Sequence, residues 1–350
     1  MTWLPQSKGF TEMTSTASRT SSVAPAGPNL FARMKMRDLV LVPVIVLVLI
    51  AGSFVSPSFL MPENLLNVLQ QSSELSILVI AQSLILICGK FDLSLESTVG
   101  IAPMFAAWLM ISDTYIGGSG IGISGYAGIA VLFAVGLVIG TINGLLVVKL
   151  RLNAFITTLA MLILLRGITL GITNGQTLFD LPEEFLYLGN AKWFGVPVSI
   201  WIAGLLFLFF GLMMRYHRIG RAIYAIGGNP VAARVAGIPV ERITIGVFIV
   251  GSLLAALAGL LLTGRIASVM SGQGQNMIFY VFAAAVIGGI SLNGGQGRMI
   301  GALTGVLLLG LLQNVLTLSS VAAFWIDACY GAIILLALIV TRLSGEAPRE

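Results

Sequence analysis

Residues 121–148 read IGISGYAGIAVLFAVGLVIGTINGLLVV. No charged side chain interrupts them. Such a stretch suits a bilayer core about 30 Å thick, which takes about 20 apolar residues per spanning helix. Three apolar runs precede it: Leu39–Val55, Leu65–Cys88 and Ser94–Ile111. Six follow it: Ala154–Thr173, Val196–Met214, Ile243–Leu262, Ile278–Ile290, Ile300–Leu316 and Val321–Val340. The second is broken in polarity by Gln70, Gln71 and Glu74. Ile278–Ile290 is too short to cross upright and reads as broken or re-entrant. The composition agrees: 57% of residues are hydrophobic and only 9% charged. Mean hydropathy is +1.00. A soluble globule carries about a quarter charged residues. The expectation is an all-α membrane protein of about ten transmembrane helices, occupying residues 39–343.

Charge distribution gives an orientation. With both termini in the cytoplasm, only Lys192 and Arg265 of the 19 Lys and Arg fall outside, and Arg166 falls within a span. The outside loops carry Glu63, Asp113, Asp180, Glu183 and Glu184 instead. This is the asymmetry of the positive-inside rule, and an odd number of spans scrambles it. The net charge of +5 follows from that rule and does not point to nucleic acid. Residues 1–38, rich in Ser and Thr with Pro25 and Pro28, read as a disordered cytoplasmic tail. A signal peptide would put its apolar core much nearer Met1 than the first run at Leu39. Residues 344–350 read as a short cytoplasmic tail. Cys88 and Cys329 read as small buried hydrophobes. The single histidine, His217, has no ligand cluster in the sequence around it, so no metal site is expected.

No G-x-x-x-x-G-K-[ST] phosphate loop occurs, and no G-x-S-x-G or H-E-x-x-H. Active transport by this chain therefore draws on an ion gradient or on another subunit. The basic segment Arg215–Arg242 bears on that choice. Asn229 suits an N-cap and Pro230 the first helical turn. Val231–Ala236 are mostly small and helix-compatible, Gly237 can end a helix in the left-handed conformation, and Pro239 blocks extension. A helix of about two turns is not stable alone in water. It either lies on the membrane surface or inserts into a groove on a soluble partner.

Four stretches carry a family resemblance. GKFDLS at Gly89–Ser94 resembles G-G-I-D-L-S, with Lys90 and, just beyond, Glu96 where glycines are usual. NAFITTLAMLILLRGITLGITNG at Asn153–Gly175 resembles P-x-F-I-x-T-L-…-L-R-G-…-T-x-G. Gly220–Ile238 resembles G-R-…-A-x-G-G-N-…-A-A-R-x-x-G-I, and VIGGISLNGGQG at Val286–Gly297 resembles V-I-G-G-x-S-L-x-G-G-x-G. Ile278 and Tyr280 stand where acidic residues are common. Together these resemble the permease subunit of ribose-, xylose- and autoinducer-2-type ABC sugar importers, over about Leu39 to Leu343. The resemblance implies an inner-membrane permease passing a monosaccharide or small polyol by alternating access. It implies a second permease copy or sister permease, a cytoplasmic ABC ATPase that uses ATP and Mg, and a periplasmic sugar-binding protein. This chain itself is expected to bind no cofactor and to catalyse no reaction. Gly228, Asn229, Pro230, Ala233, Arg234 and Gly237 are then the coupling residues.

Polar groups inside spans are functional candidates by default. Arg166 sits near the middle of the fifth run, with Glu74 or Asp327 as expected partner. Asp92 and Ser94 follow a break, where Asp92 either caps a half-helix or faces the substrate route. Asn143, Thr157, Thr158 and Asn314 either line a polar seam or glue helices together. Phe155 follows Asn143, and Phe324 follows Asn314, at similar spacing, which hints at two weakly related halves of inverted topology. The candidates for the translocation pathway are Asp92, Ser94, Asn143, Phe155, Thr158, Arg166 and Asn314. Two rivals remain: a gradient-driven carrier, for which intramembrane carboxylates are sparse, and a membrane enzyme or receptor, for which no reactive cluster is present.

Overall fold

A computed structural model describes residues 41–114 and 117–322, and positions 324–326, 328–332, 335 and 339. The expected tails at 1–38 and 344–350, Asp327 and part of the tenth run lie outside the described residues. The fold is helical: α1 (Val42–Val55), α2 (Pro62–Ile87), α3 (Leu95–Met110), α4 (Gly125–Val148), α5 (Ala154–Thr173), α6 (Glu183–Asn190), α7 (Val198–Tyr216), α8 (Arg218–Gly228), α9 (Pro230–Val235), α10 (Val240–Ile266), α11 (Met277–Ile287) and α12 (Met299–Leu318). A two-stranded hairpin follows α6, β1 (Lys192–Trp193) and β2 (Val196–Pro197), pairing Lys192 with Pro197. Its turn residues Phe194 and Gly195 both have positive φ, as a two-residue hairpin turn requires.

Six of these helices are long and apolar enough to cross a bilayer: α2, α4, α5, α7, α10 and α12. Three shorter apolar helices, α1, α3 and α11, accompany them. The protein is thus an all-helical, multi-pass membrane protein. At 1.5 Å per residue, α11 is about 16 Å long, half the hydrocarbon thickness. It stops at Ile287 because Gly288 and Gly289 follow, the latter with φ +81°.

Two helices form the centre. The apolar window of α2 is 83% buried, whereas that of α5 is only 22% buried, so α2 packs on protein and α5 presents most of its surface outward. α10 runs beside α2, α3 and α4. The α4–α10 contact is close because Gly136, Gly140 and Gly144 fall on one face. A Cβ on Gly140 would come 2.7 Å from the Ile249 Cα and 2.8 Å from the Phe248 carbonyl oxygen. Such small-residue faces let helix backbones approach where lipid offers no hydrophobic drive. The exposed faces of α4, α5 and α7 carry Leu137, Ile142, Ile163, Leu164, Leu205 and Leu208.

Two short helices were not legible as such. α6 falls in a loop too short for a periodic signal, although Pro182 and the acidic first turn Glu183–Glu184 are start signals. α8 carries two arginines and three glycines and reads as loop, yet it buries Gly220, Ile223 and Ile226.

Candidate functional site

The basic segment folds as expected. Asn229 is the N-cap of α9, its Oδ1 accepting from the backbone N–H groups of Val231 and Ala232, each at 3.0 Å. Pro230 occupies the first turn. Gly237 has φ +80°, and the N–H of Ile238 returns to the Ala233 carbonyl at 3.0 Å. That closes the C-terminus by the left-handed route. Ala233 is buried, so the helix has an inner side. On the outer side Val231 is 69% and Val235 85% exposed. Arg234 stands between them, 64% exposed and 3.9 Å from Glu241. Glu241, in the first turn of α10, also pairs with Lys149 at the end of α4 at 2.8 Å. The Lys149 hydrogen bond holds the Glu241 carboxyl below its ordinary value. A six-residue helix is therefore pinned to α8 and α10 while showing two valines and an arginine to its surroundings.

Behind α9 three chain segments meet at glycines. Gly227, the penultimate residue of α8, lies against the Ile87 carbonyl oxygen at the end of α2, and a Cβ there would also come 2.5 Å from the N of Gly295. The Gly295 N–H donates to that Ile87 carbonyl at 2.8 Å. Gly89 (φ +73°) and Gly294 (φ +80°) complete the contact, a Cβ on Gly294 coming 2.7 Å from the Gly89 Cα. The Tyr224 hydroxyl donates to the Gly297 carbonyl at 2.7 Å. The first, third and fourth resemblance motifs thus converge on one point. Gly228, exposed, leads directly from it into α9.

Past Gly89 the chain turns into α3. Asp92, fully buried, accepts from the backbone N–H of Ser94 at 2.9 Å and from its hydroxyl at 2.6 Å. Asn143 donates to the Ser94 hydroxyl at 2.7 Å, bringing in α4. Thr158 of α5 accepts from the Leu93 N–H at 3.1 Å. Four of the sequence candidates therefore form one buried network that fixes the entry to α3 between α4 and α5. In it Asp92 holds Ser94, the residue that precedes α3, by its backbone and its hydroxyl. Phe155 lies beside the network, edge-on to Phe91 at 6.3 Å, and Phe91 stacks on Phe282 of α11.

Arg166 does not reach Glu74. It pairs with Glu96 at 2.7 Å, and the Ile278 N–H donates to the other oxygen of Glu96 at 3.4 Å. Glu74 is taken by Arg265 through two bonds of 2.6 and 3.0 Å. The expectation misjudged neighbours: α3 packs on α5, which sets Glu96 opposite Arg166. Glu96 and Ile278, two departures from the family pattern, meet here. Asn314 lies apart from these groups. It exchanges amide hydrogen bonds with Asn64 at 2.9 and 3.1 Å. Asn143 and Asn314, suggested equivalents of two halves, thus have different partners. Thr157 lies on a wide apolar groove of about 610 Å³ between α4 and α5, among Leu146, Ile156 and Leu164. Among the described residues no group of three or more His, Cys, Asp and Glu is placed to hold a metal.

A family model described as "Branched-chain amino acid transport system / permease component" matches residues 64–338. The ribose import permease protein RbsC of Escherichia coli (strain K12) is 37% identical over 309 residues, covering 87% of this chain and 93% of that protein. The ribose import permease protein of Bacillus subtilis (strain 168) is 34% identical over 298 residues, covering 85% and 90%. The L-arabinose transport system permease protein AraH of Escherichia coli (strain K12) is 36% identical over 264 residues, covering 75% and 77%.

Proposed function

We propose, because this chain belongs to the family of branched-chain amino acid transport system / permease components, that it is the membrane subunit of an ATP-driven importer for a monosaccharide or similar small polyol. Relatives named for ribose and arabinose import match most of its length, which favours a sugar over an amino acid. The observation that carries the reading is α9. Water does not favour two exposed valines on a capped and ion-paired helix, whereas a groove on a soluble subunit does. The surrounding Arg215, Arg218, Arg221, Arg242, Lys149 and Arg151 favour the cytoplasm for this end by the positive-inside rule. A cytoplasmic ABC ATPase, which uses ATP and Mg, is the partner proposed for this face. A periplasmic sugar-binding protein delivers substrate at the other, and a second permease copy or sister subunit completes the assembly in the bacterial inner membrane.

Gly228, Asn229, Pro230, Ala233, Arg234 and Gly237 act as the coupling unit. Its motion passes through Gly227 to the end of α2 and to the α11–α12 turn, since no side chain there can absorb it. Asp92, Ser94, Asn143 and Thr158 then hold the entry of α3, and Arg166 with Glu96 ties α3 to α5.

The test is co-purification from detergent with the candidate ATPase. Wild type retains the ATPase, and the Val231→Asp, Val235→Asp double variant elutes as a folded permease without it. Equal retention by both removes α9 from the interface and with it the ground for this reading.

A further inference from the structure

Between α2 and α12 the exposed surface is polar. Asn67 and Gln71 on α2 and Gln313 and Thr317 on α12 are exposed, and Asn64 and Asn314 are half-buried between them. The exposed faces of α4, α5 and α7 are aliphatic at comparable depth, as lipid requires. At 1.5 Å per residue Gln71 lies about 14 Å along α2, and Gln313 about 8 Å from the end of α12. A hydrocarbon layer of about 30 Å laid over these helices includes both. The Gln313 Oε1 accepts from the Tyr330 hydroxyl at 3.5 Å, but acyl chains offer no partner to its NH2 group or to the Gln71 amide, at a cost of several kcal/mol, so this face meets water or protein rather than lipid.

The face also has a hollow. A cleft of about 100 Å³ is lined by Gln71, Ser72, Gln313, Asn314 and Thr317, with Val68 and Leu75 among them. Gly310 makes room for it, since a Cβ there would collide with the Ser72 hydroxyl. The reciprocal Asn64–Asn314 amide pair fixes one wall. The cleft sits toward the end where α2 begins and α12 ends. Lys90 and Arg298, at the other ends of the same helices, mark the basic side.

We propose that this strip is the polyol-contacting wall of an aqueous translocation path, taking a neutral sugar through its hydroxyls. The inference rests on the permease reading and adds where and how that permease meets its substrate. Each amide offers both donors and acceptors, as does each hydroxyl of a sugar. No charged side chain lines the cleft. A zwitterionic amino acid presents two charges and calls for charged partners. The nearby carboxylate, Glu74, is buried and committed to Arg265.

The experiment has two arms on the assembled transporter. In the first, Gln71→Cys, Gln313→Cys and Thr317→Cys are made singly in a Cys329→Ser background, with the buried Cys88 as baseline. A membrane-impermeant sulfonated methanethiosulfonate is the probe, and Leu137→Cys and Leu208→Cys are lipid-facing controls. The strip positions are expected to label at least tenfold faster than the controls. Labelling at the control rate overturns the aqueous wall. In the second arm Gln71→Leu combined with Gln313→Leu is expected to lower uptake of labelled D-ribose or L-arabinose several-fold, with ATPase retention intact. Unchanged uptake in that variant overturns the sugar contact. Failure of the permease reading looks different: wild type itself then holds no ATPase and takes up neither sugar, whatever the labelling pattern.

Discussion

Arg166 and Glu96 make the clearest case at the scale of single residues. Their contact is 2.7 Å, with side-chain exposure of 23% and 5%. Removing one member leaves a charge without its partner in a low-dielectric setting, at about 3–5 kcal/mol. Arg166→Ala is therefore expected to lower thermal stability in detergent strongly, and Glu96→Gln with Arg166→Gln to recover much of the loss. The Lys149–Glu241 pair is the opposite case, 59% and 44% exposed. Lys149→Ala should change stability little, because water screens so exposed a pair. Glu241 has a lowered pKa in the fold, so what its pairing contributes is present above its unfolded value and fades as pH falls through the folded one. An unfolding series in acid, wild type against Lys149→Ala, should converge only below the usual carboxylate range. That Arg166 needed a carboxylate was legible in the sequence, because a lone intramembrane arginine needs a partner. Which carboxylate was not legible, because periodicity along a chain does not say which helices are neighbours.

At the scale of elements, α9 and the glycine contact behind it make different demands. Asn229→Ala removes two capping bonds and should loosen α9 by about 1 kcal/mol, visible as faster amide exchange at residues 231–236. The element was readable beforehand because cap, proline and left-handed glycine are local signals within nine residues. The glycine contact was not readable, since its members come from three distant motifs. Gly227→Ala forces a methyl group against the Ile87 carbonyl. It is expected to impair folding or to separate ATP hydrolysis from uptake. Gly167→Ala, with nothing within 4 Å of the added carbon, should be neutral or stabilising by up to about 1 kcal/mol. A thermal-shift comparison of the two variants checks both statements.

At the scale of the molecule, composition decided the class and run length decided most elements. Ala154–Thr173 was read to its ends because Asn153 caps it and Asn174, in the left-handed conformation, closes it. Among the described residues six helices meet the length for a full crossing, against ten expected runs. The difference lies in α1, α3 and α11, which are apolar but short, and in the tenth run, part of which lies outside the described residues. Apolarity alone does not separate a crossing helix from a half-helix buried in protein. Nor does a pattern of apolar residues show that α2, with its glutamines, is the central helix and opens a polar cleft at one end.

The central claim is that force from a soluble ATPase enters at α9 and moves sugar across the membrane. The most direct measurement is uptake of labelled D-ribose or L-arabinose into proteoliposomes holding the assembled transporter, with its sugar-binding protein supplied outside and ATP inside. The account predicts uptake that depends on ATP in wild type and is lost in the Val231→Asp, Val235→Asp variant, whose permease remains folded. Uptake that proceeds without ATP or without the ATPase would contradict it and assign the chain to gradient-driven carriers.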